Sequence, residues 1–393
     1  MTSGTWEERD DGTLLWRLMV RSVGAKTLNL GFSRFHMPEG GELYVYSPDG
    51  AIVSGPYTAR DNEEHGQLWT PLIEGDDVVI EVSIPVELEG ELELELAAVN
   101  HAYKDLADPF EKSGSCNIDV ACSEADDWTE EIRSVALYSI EGYLACTGTL
   151  LNNTSQDLTP YFLTAQHCGV TSSKAPTVVV YWNYETSLCG GVPDGPVDQN
   201  QSGAILRASY GPSDFVLLEL DDMPSDSFNV HWAGWDRSGD AISDVATIHH
   251  PSADEKSISF DFHTPRITSY GGTNVPGDGT HIRVYNWDLG TTESGSSGGP
   301  LFDAQHRVVG QLHGGLAACG NNESDWFGRL YWSWNGGGAS SSQLRSWLDP
   351  GNTGAMFMDG IDTPDEILAK IPVPADYDGD GRADIAVYDP NTN

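Results

Sequence analysis

The chain has 393 residues, 39% of them hydrophobic, which is enough for two or three domains with separate cores. Sixty acidic residues against 20 basic ones give a formal charge of -40 at pH 7, a surface that repels phosphate backbones and anionic lipids and argues against nucleic-acid or membrane partners. In the first place such a charge keeps a protein soluble, and no apolar run of about 18 residues occurs that would span a bilayer as a helix.

Short β-branched runs between Gly, Pro and Asn clusters predict an all-β chain. The start, Met1 to Asp10, lacks the basic and apolar regions of a signal peptide, so secretion would require that a signal had been removed. Residues 1–112 contain no cysteine. Strand patterns around Leu14–Val20, Leu43–Tyr46 and Val78–Ile84, with an apolar/acidic alternation from Val86 to Leu96, predict a small antiparallel β-sandwich. The polar segment Asn100–Ser115, with Pro109, reads as an exposed junction, and a cut after Lys112 would free Ser113. Residues 113–360 form the catalytic candidate, ending in a short helix, Ser341–Leu348, stopped by Asp349-Pro350-Gly351. A linker, 361–375, leads to 376–393, where Asp376, Asp378, Asp380 and Asp384 spell a calcium loop. It is not an EF-hand, because Val387 stands where the bidentate acid belongs. It resembles the opening of an FG-GAP type propeller repeat that breaks off at Asn393, and an acidic tail without an ion is the competing reading.

All six cysteines lie between Cys116 and Cys319, which points to disulfides in an oxidising compartment. No Cys-x-x-Cys pair supports a zinc site, and the count alone leaves the pairing open.

Three local patterns carry chemistry. Glu293-Ser-Gly295-Ser-Ser297-Gly298-Gly299-Pro300 is a glycine-dense turn that would hold a serine hydroxyl outward and leave backbone N–H groups free for an oxyanion. An ordinary Gly/Ser loop would read the same way, and a serine needs a base to become a nucleophile. Tyr161-Phe-Leu-Thr-Ala165-Gln-His167-Cys168 is an apolar strand ending in such a base. In Tyr210-Gly-Pro-Ser-Asp214-Phe, a single acid precedes an apolar strand, where it would hold His167 in one tautomer. Gly295 to Gly299 also spells the α/β-hydrolase motif, but those enzymes run Ser, acid, His, and the last histidine here is His313. The order His167, Asp214, Ser297 is that of chymotrypsin.

Six collinear motifs, Gly114 to Val120, Ala145 to Thr149, Leu163 to Cys168, Trp232 to Arg237, Gln311 to Gly315 and Ser324 to Arg329, resemble bacterial lysyl endopeptidases. The resemblance covers roughly 113–360 and implies a chymotrypsin-like double six-stranded β-barrel. The preceding residues are similar, less specifically, to that family's propeptide. It further implies His167, Asp214 and Ser297 as the triad, Gly295 and Ser297 as oxyanion donors, and the pairs Cys116 with Cys319, Cys122 with Cys189, and Cys146 with Cys168. The first pair would close a loop of about 200 residues, for which chain entropy predicts several kcal/mol.

Trypsins place their pocket acid where this chain has Thr291, so charge selection must come from elsewhere. The resemblance implies Asp325 on the far pocket strand, with His313, Gly314 and Gly315 opposite and Tyr270 where the family more often has tryptophan. Ser296 rather than an acid precedes Ser297, so maturation by a new N-terminal ion pair is not expected, and propeptide removal would unblock a pre-formed cleft. The expected protein is a secreted, monomeric serine endopeptidase that cuts after lysine. It would self-process at Lys112-Ser113, need no cofactor for catalysis, and have protein substrates and its own propeptide as partners. The alternatives are cleavage after Arg and Lys alike, and an inactive binding module.

Overall fold

The computed structural model describes residues 3–102, 113–363, 371–375 and 384–388, with the backbone alone at 144–145 and in the last two segments. Lys112, Asp376, Asp378 and Asp380 lie outside the described residues, and Asp384 opens a strand paired with Ile371–Ala375.

In the N-terminal part, alternate residues of Asp77–Pro85 (Val78, Ile80, Val82, Ile84) turn inward beside Thr13–Arg21 in a five-stranded sheet. A second sheet forms around Thr27–His36, and Leu28, Leu30 and Phe32 close one core with the first, as a sandwich does. The acidic alternation is only half a strand. Val86–Glu91 is a 3-10 turn after Pro85, and the strand resumes at Glu93–Ala102. Pro85 has no N–H to extend the ladder, and Gly90 has no side chain to pack, so periodicity alone misplaced the boundary.

Residues 135–220 form a seven-stranded antiparallel sheet that wraps the core of Tyr138, Phe162, Val180, Trp182 and Leu218. A ten-stranded sheet from Ile118–Asp119 to Phe357–Met358 wraps Ile282, Val284, Leu301, Leu312 and Phe327. A third cluster, including Leu163, Phe215, Trp235, Ile248 and Phe302, glues the two together. This is the chymotrypsin-like two-barrel arrangement. The strand counts exceed six because short pairings such as Asn200–Ser202 and Phe357–Met358 add to each sheet. The expected C-terminal helix is a 3-10 turn, Ser340–Ser342, then Arg345–Leu348, and a further helix, Leu330–Asn335, gave no sequence signal.

Three disulfides link Cys116 to Cys319, Cys122 to Cys189, and Cys146 to Cys168. The N-terminal sandwich packs Trp69 and Leu72 onto Leu137, Val179 and Tyr181 of the first barrel. His65 Nε2 stands 2.8 Å from Asp221, and Asn100 donates to the Glu141 carbonyl at 2.8 Å. The two polar contacts and the Trp69–Leu72 packing seat the sandwich on the first barrel, and residues 103–112, which lead from it to Ser113, lie outside the described residues.

Candidate active site

Strands Tyr161–Ala165 and Phe215–Leu220 pair antiparallel with Ala165 opposite Phe215. The turn that follows one strand and the residue just before the other are therefore neighbours, which brings His167, second after Ala165, beside Asp214. His167 sits in the 3-10 turn Gln166–Cys168, pinned by the Cys146–Cys168 bridge. Asp214 adopts φ 55° at the end of its own turn and is 3% exposed. Its Oδ2 lies 2.7 Å from His167 Nδ1, and Oδ1 accepts the His167 backbone N–H at 2.9 Å, so both carboxylate oxygens hold the same residue. His167 Nε2 lies 2.8 Å from Ser297 Oγ across the inter-barrel cleft.

The nucleophile turn needs its glycines. Gly295 has φ 94°, and a Cβ there would lie 2.5 Å from the Ala253 amide nitrogen. Thr147 Oγ1 donates to the Gly295 carbonyl at 2.9 Å, while the Thr147 N–H bonds the Ser297 carbonyl at 2.9 Å. The N–H groups of Gly295 and Ser297 make no hydrogen bond among the described residues, which leaves both available as donors.

Behind the triad lies a stack of rings. His313, at a bulge in Val308–Gly315, lies with its ring 5.4 Å from that of His167 and 3.6 Å from that of Tyr270, nearly parallel to the latter at 8°. Its Nδ1 lies 2.9 Å from His281 Nε2, and its Nε2 3.7 Å from Asp214. Burial lowers the pKa of His313, and burial with His313 alongside lowers that of His281 to about 4, so a neutral pair backs the carboxylate near pH 7. His281 was not singled out from the sequence, since nothing local marks it.

Gly314 and Gly315 pair with Trp326 and Asp325 on the neighbouring strand. A Cβ at Gly315 would lie 2.2 Å from Asp325 Oδ1, so only glycine lets the strand pass this close to the carboxylate. Asp325 is 1% exposed, and its Oδ2 accepts from Trp287 Nε1 and Thr292 Oγ1, each at 2.7 Å. Oδ1 is buried and has no partner of normal geometry, although the Ala317 amide faces the carboxylate. Burial pushes its pKa up, against the pull of those donors. Thr291 is buried beside this site but does not bond Asp325; the following residue, Thr292, does. Trp287 and Thr292 were missed because a partner 38 or 33 positions away is set by strand register and not by local pattern.

Ser113, at the expected junction, donates both N–H and hydroxyl to Asp254, at 3.1 and 3.0 Å. Among the described residues, two groups could gather around a metal ion: His167 and Asp214 of the triad with His313, and the buried Asp261 with the exposed His263 and Asp288.

The family model for the lysyl endopeptidase C-terminal domain matches residues 110–328, and that for the lysyl endopeptidase N-terminal domain matches residues 2–103. A protein named lysyl endopeptidase from Pseudomonas aeruginosa is 28% identical over 358 residues, covering 83% of this chain and 75% of that one. Among solved structures, the HtrA-type protease AlgW with a tripeptide has a TM-score of 0.39 at 18% identity, covering 58% of this chain and 65% of its own. Human heparin binding protein has 0.38 at 16%, covering 56% and 92%.

Proposed function

Starting from the finding that this chain belongs to the lysyl endopeptidase family and is a serine endopeptidase, we propose that it cleaves on the carboxyl side of lysine by acyl transfer to Ser297. His167 takes the Ser297 proton and passes it to the leaving amine, and Asp214 holds the imidazole in the tautomer this requires. The developing oxyanion is bound by the N–H groups of Gly295 and Ser297. A water then repeats the sequence to release the acid, so no cofactor is needed.

The observation that carries the lysine preference is the state of Asp325. A buried carboxylate with one oxygen occupied by Trp287 and Thr292 and the other unpartnered offers one acceptor in a dry site. A lysine ammonium is a point charge that one oxygen can receive, whereas an arginine fork binds best to two. Neutral side chains would leave the acceptor unpaired and are rejected. Digestion of a peptide library, read by mass spectrometry, tests this: cleavage after lysine is expected, and equal cutting after arginine removes the claim.

Secretion is part of the same proposal, supported by three disulfides that persist in an oxidising compartment. So is self-cleavage at Lys112-Ser113, which would leave the new end at Ser113 beside Asp254 and near the Cys116–Cys319 bridge. A Ser297→Ala chain still cut there when purified alone would remove self-processing. At the C-terminus, Asp376, Asp378, Asp380 and Asp384 would take Ca2+, checked by calorimetric titration against a chain with the first three changed to Asn.

A further inference from the structure

Trypsin-like enzymes carry an acid immediately before the nucleophile; this chain carries Ser296, and its side chain is sealed from water together with His249. His249 Nδ1 lies 2.7 Å from Ser296 Oγ, and Nε2 lies 3.2 Å from Ser259 Oγ. At one end of this series Ser296 Oγ accepts the Glu293 amide at 3.0 Å; at the other Ser259 Oγ donates to the Thr291 carbonyl at 2.7 Å.

The ends set every proton between them. An amide can only donate and a carbonyl can only accept, so Ser296 gives its proton to Nδ1 and Nε2–H gives its own to Ser259. One tautomer of a neutral imidazole satisfies all four bonds. Burial agrees, lowering the His249 pKa to about 3.

We propose that His249 is a positioning residue for the nucleophile turn: by bonding Ser296 directly and Thr291 through Ser259, it sets the register of residues 291–297, which carry the oxyanion amides and one wall of the lysine pocket. The bonds are complete in the uncleaved chain, so the turn needs no new N-terminus to order it. This rests on Ser297 as nucleophile and on the Gly295 and Ser297 amides as the oxyanion site.

The test compares kcat and KM on a lysyl anilide for Ser296→Ala, His249→Phe, His249→Asn and Ser259→Ala in the full chain, processed in trans where self-cleavage is slow. Displacing oxyanion donors without deleting them should cost less than deletion, so Ser296→Ala and His249→Phe are expected to lower kcat about 10- to 100-fold with KM within about threefold. His249→Asn places an amide oxygen where Nδ1 stood and is expected to recover kcat to within about fivefold of the parent. Ser259→Ala is expected to act on KM, raising it about threefold or more while kcat holds. Should His249→Phe fail to fold, Ser296→Ala removes a single hydroxyl and carries the test. The proposal is overturned if Ser296→Ala leaves kcat within about twofold of the parent, or if His249→Asn is no better than His249→Phe. Ser297→Ala separates the two readings: an active Ser297→Ala chain sinks the nucleophile assignment, whereas an inactive one beside a fully active Ser296→Ala chain sinks only the role of His249.

Discussion

Ser296 and Ser297 are adjacent, and each hydroxyl is within 2.8 Å of a histidine nitrogen, yet the two pairs lie in opposite surroundings. On the front of the turn, His167 has 37% of its side chain exposed and a buried carboxylate on its far nitrogen, so a proton arriving from Ser297 would meet a counter-charge. On the back, His249 is fully buried with a serine on its far nitrogen, so a proton arriving from Ser296 would create a charge with nothing to balance it. A Ser–His contact is therefore chemistry or scaffolding according to the third group and the water around it. Histidine–serine proximity alone would not have told them apart.

The comparison breaks most visibly at the front. Ser297→Ala should abolish peptide hydrolysis, by about 10⁶-fold in kcat, and Asp214→Asn should cost about 10⁴-fold by turning the imidazole to the wrong tautomer, both read on a lysyl anilide. A residual rate at Asp214→Asn equal to the parent would mean that the carboxylate is not what distinguishes front from back.

Next in size is the pocket floor. Asp325→Asn should lower kcat/KM for lysyl substrates by about 10³-fold or more while leaving the rate of labelling of Ser297 by a small uncharged serine reagent within about threefold. Loss of both together would place Asp325 in the structural support of the turn instead of in selection.

The pH dependence sharpens the same point. Burial raises the Asp325 pKa, so its charge is lost at a higher pH than for a solvated carboxylate as the medium is acidified. KM for lysyl substrates should therefore climb on the acid side, and Asp325→Asn should flatten that limb. Folding runs with the opposite sign: a carboxyl whose pKa is raised by folding costs stability once ionised and relieves that cost below its folded pKa.

The smallest effect is expected at the ring stack. Tyr270→Ala removes a partner 3.6 Å from His313 but no hydrogen bond to the triad, so kcat should fall only several-fold, and Tyr270→Trp, with a larger face, should equal or exceed the parent.

Several parts of the site were legible in the sequence because each lies at the end of an apolar strand. His167 follows Tyr161–Ala165 and Asp214 precedes Phe215–Leu220, so one strand pairing brings them together. The glycine-rich turn announced Ser297 by composition. Val86 to Leu96 shows the opposite case: its alternation is real, but Pro85 and the turn after it won over the period, and the strand began later. Trp287, Thr292, His281 and His249 carried no signal, since their partners are reached across the sheet or through the core.

The sequence by itself determined the all-β class, the order of the chemistry-bearing residues and the region that holds the cysteines, because composition, strand-ending motifs and chain order are local or one-dimensional properties. Tertiary structure alone decided which oxygen of Asp325 remains unpartnered and which of two serine-bonded histidines is sealed off. Both depend on burial and on strand register, which bring together residues dozens of positions apart and assign each proton to a particular atom.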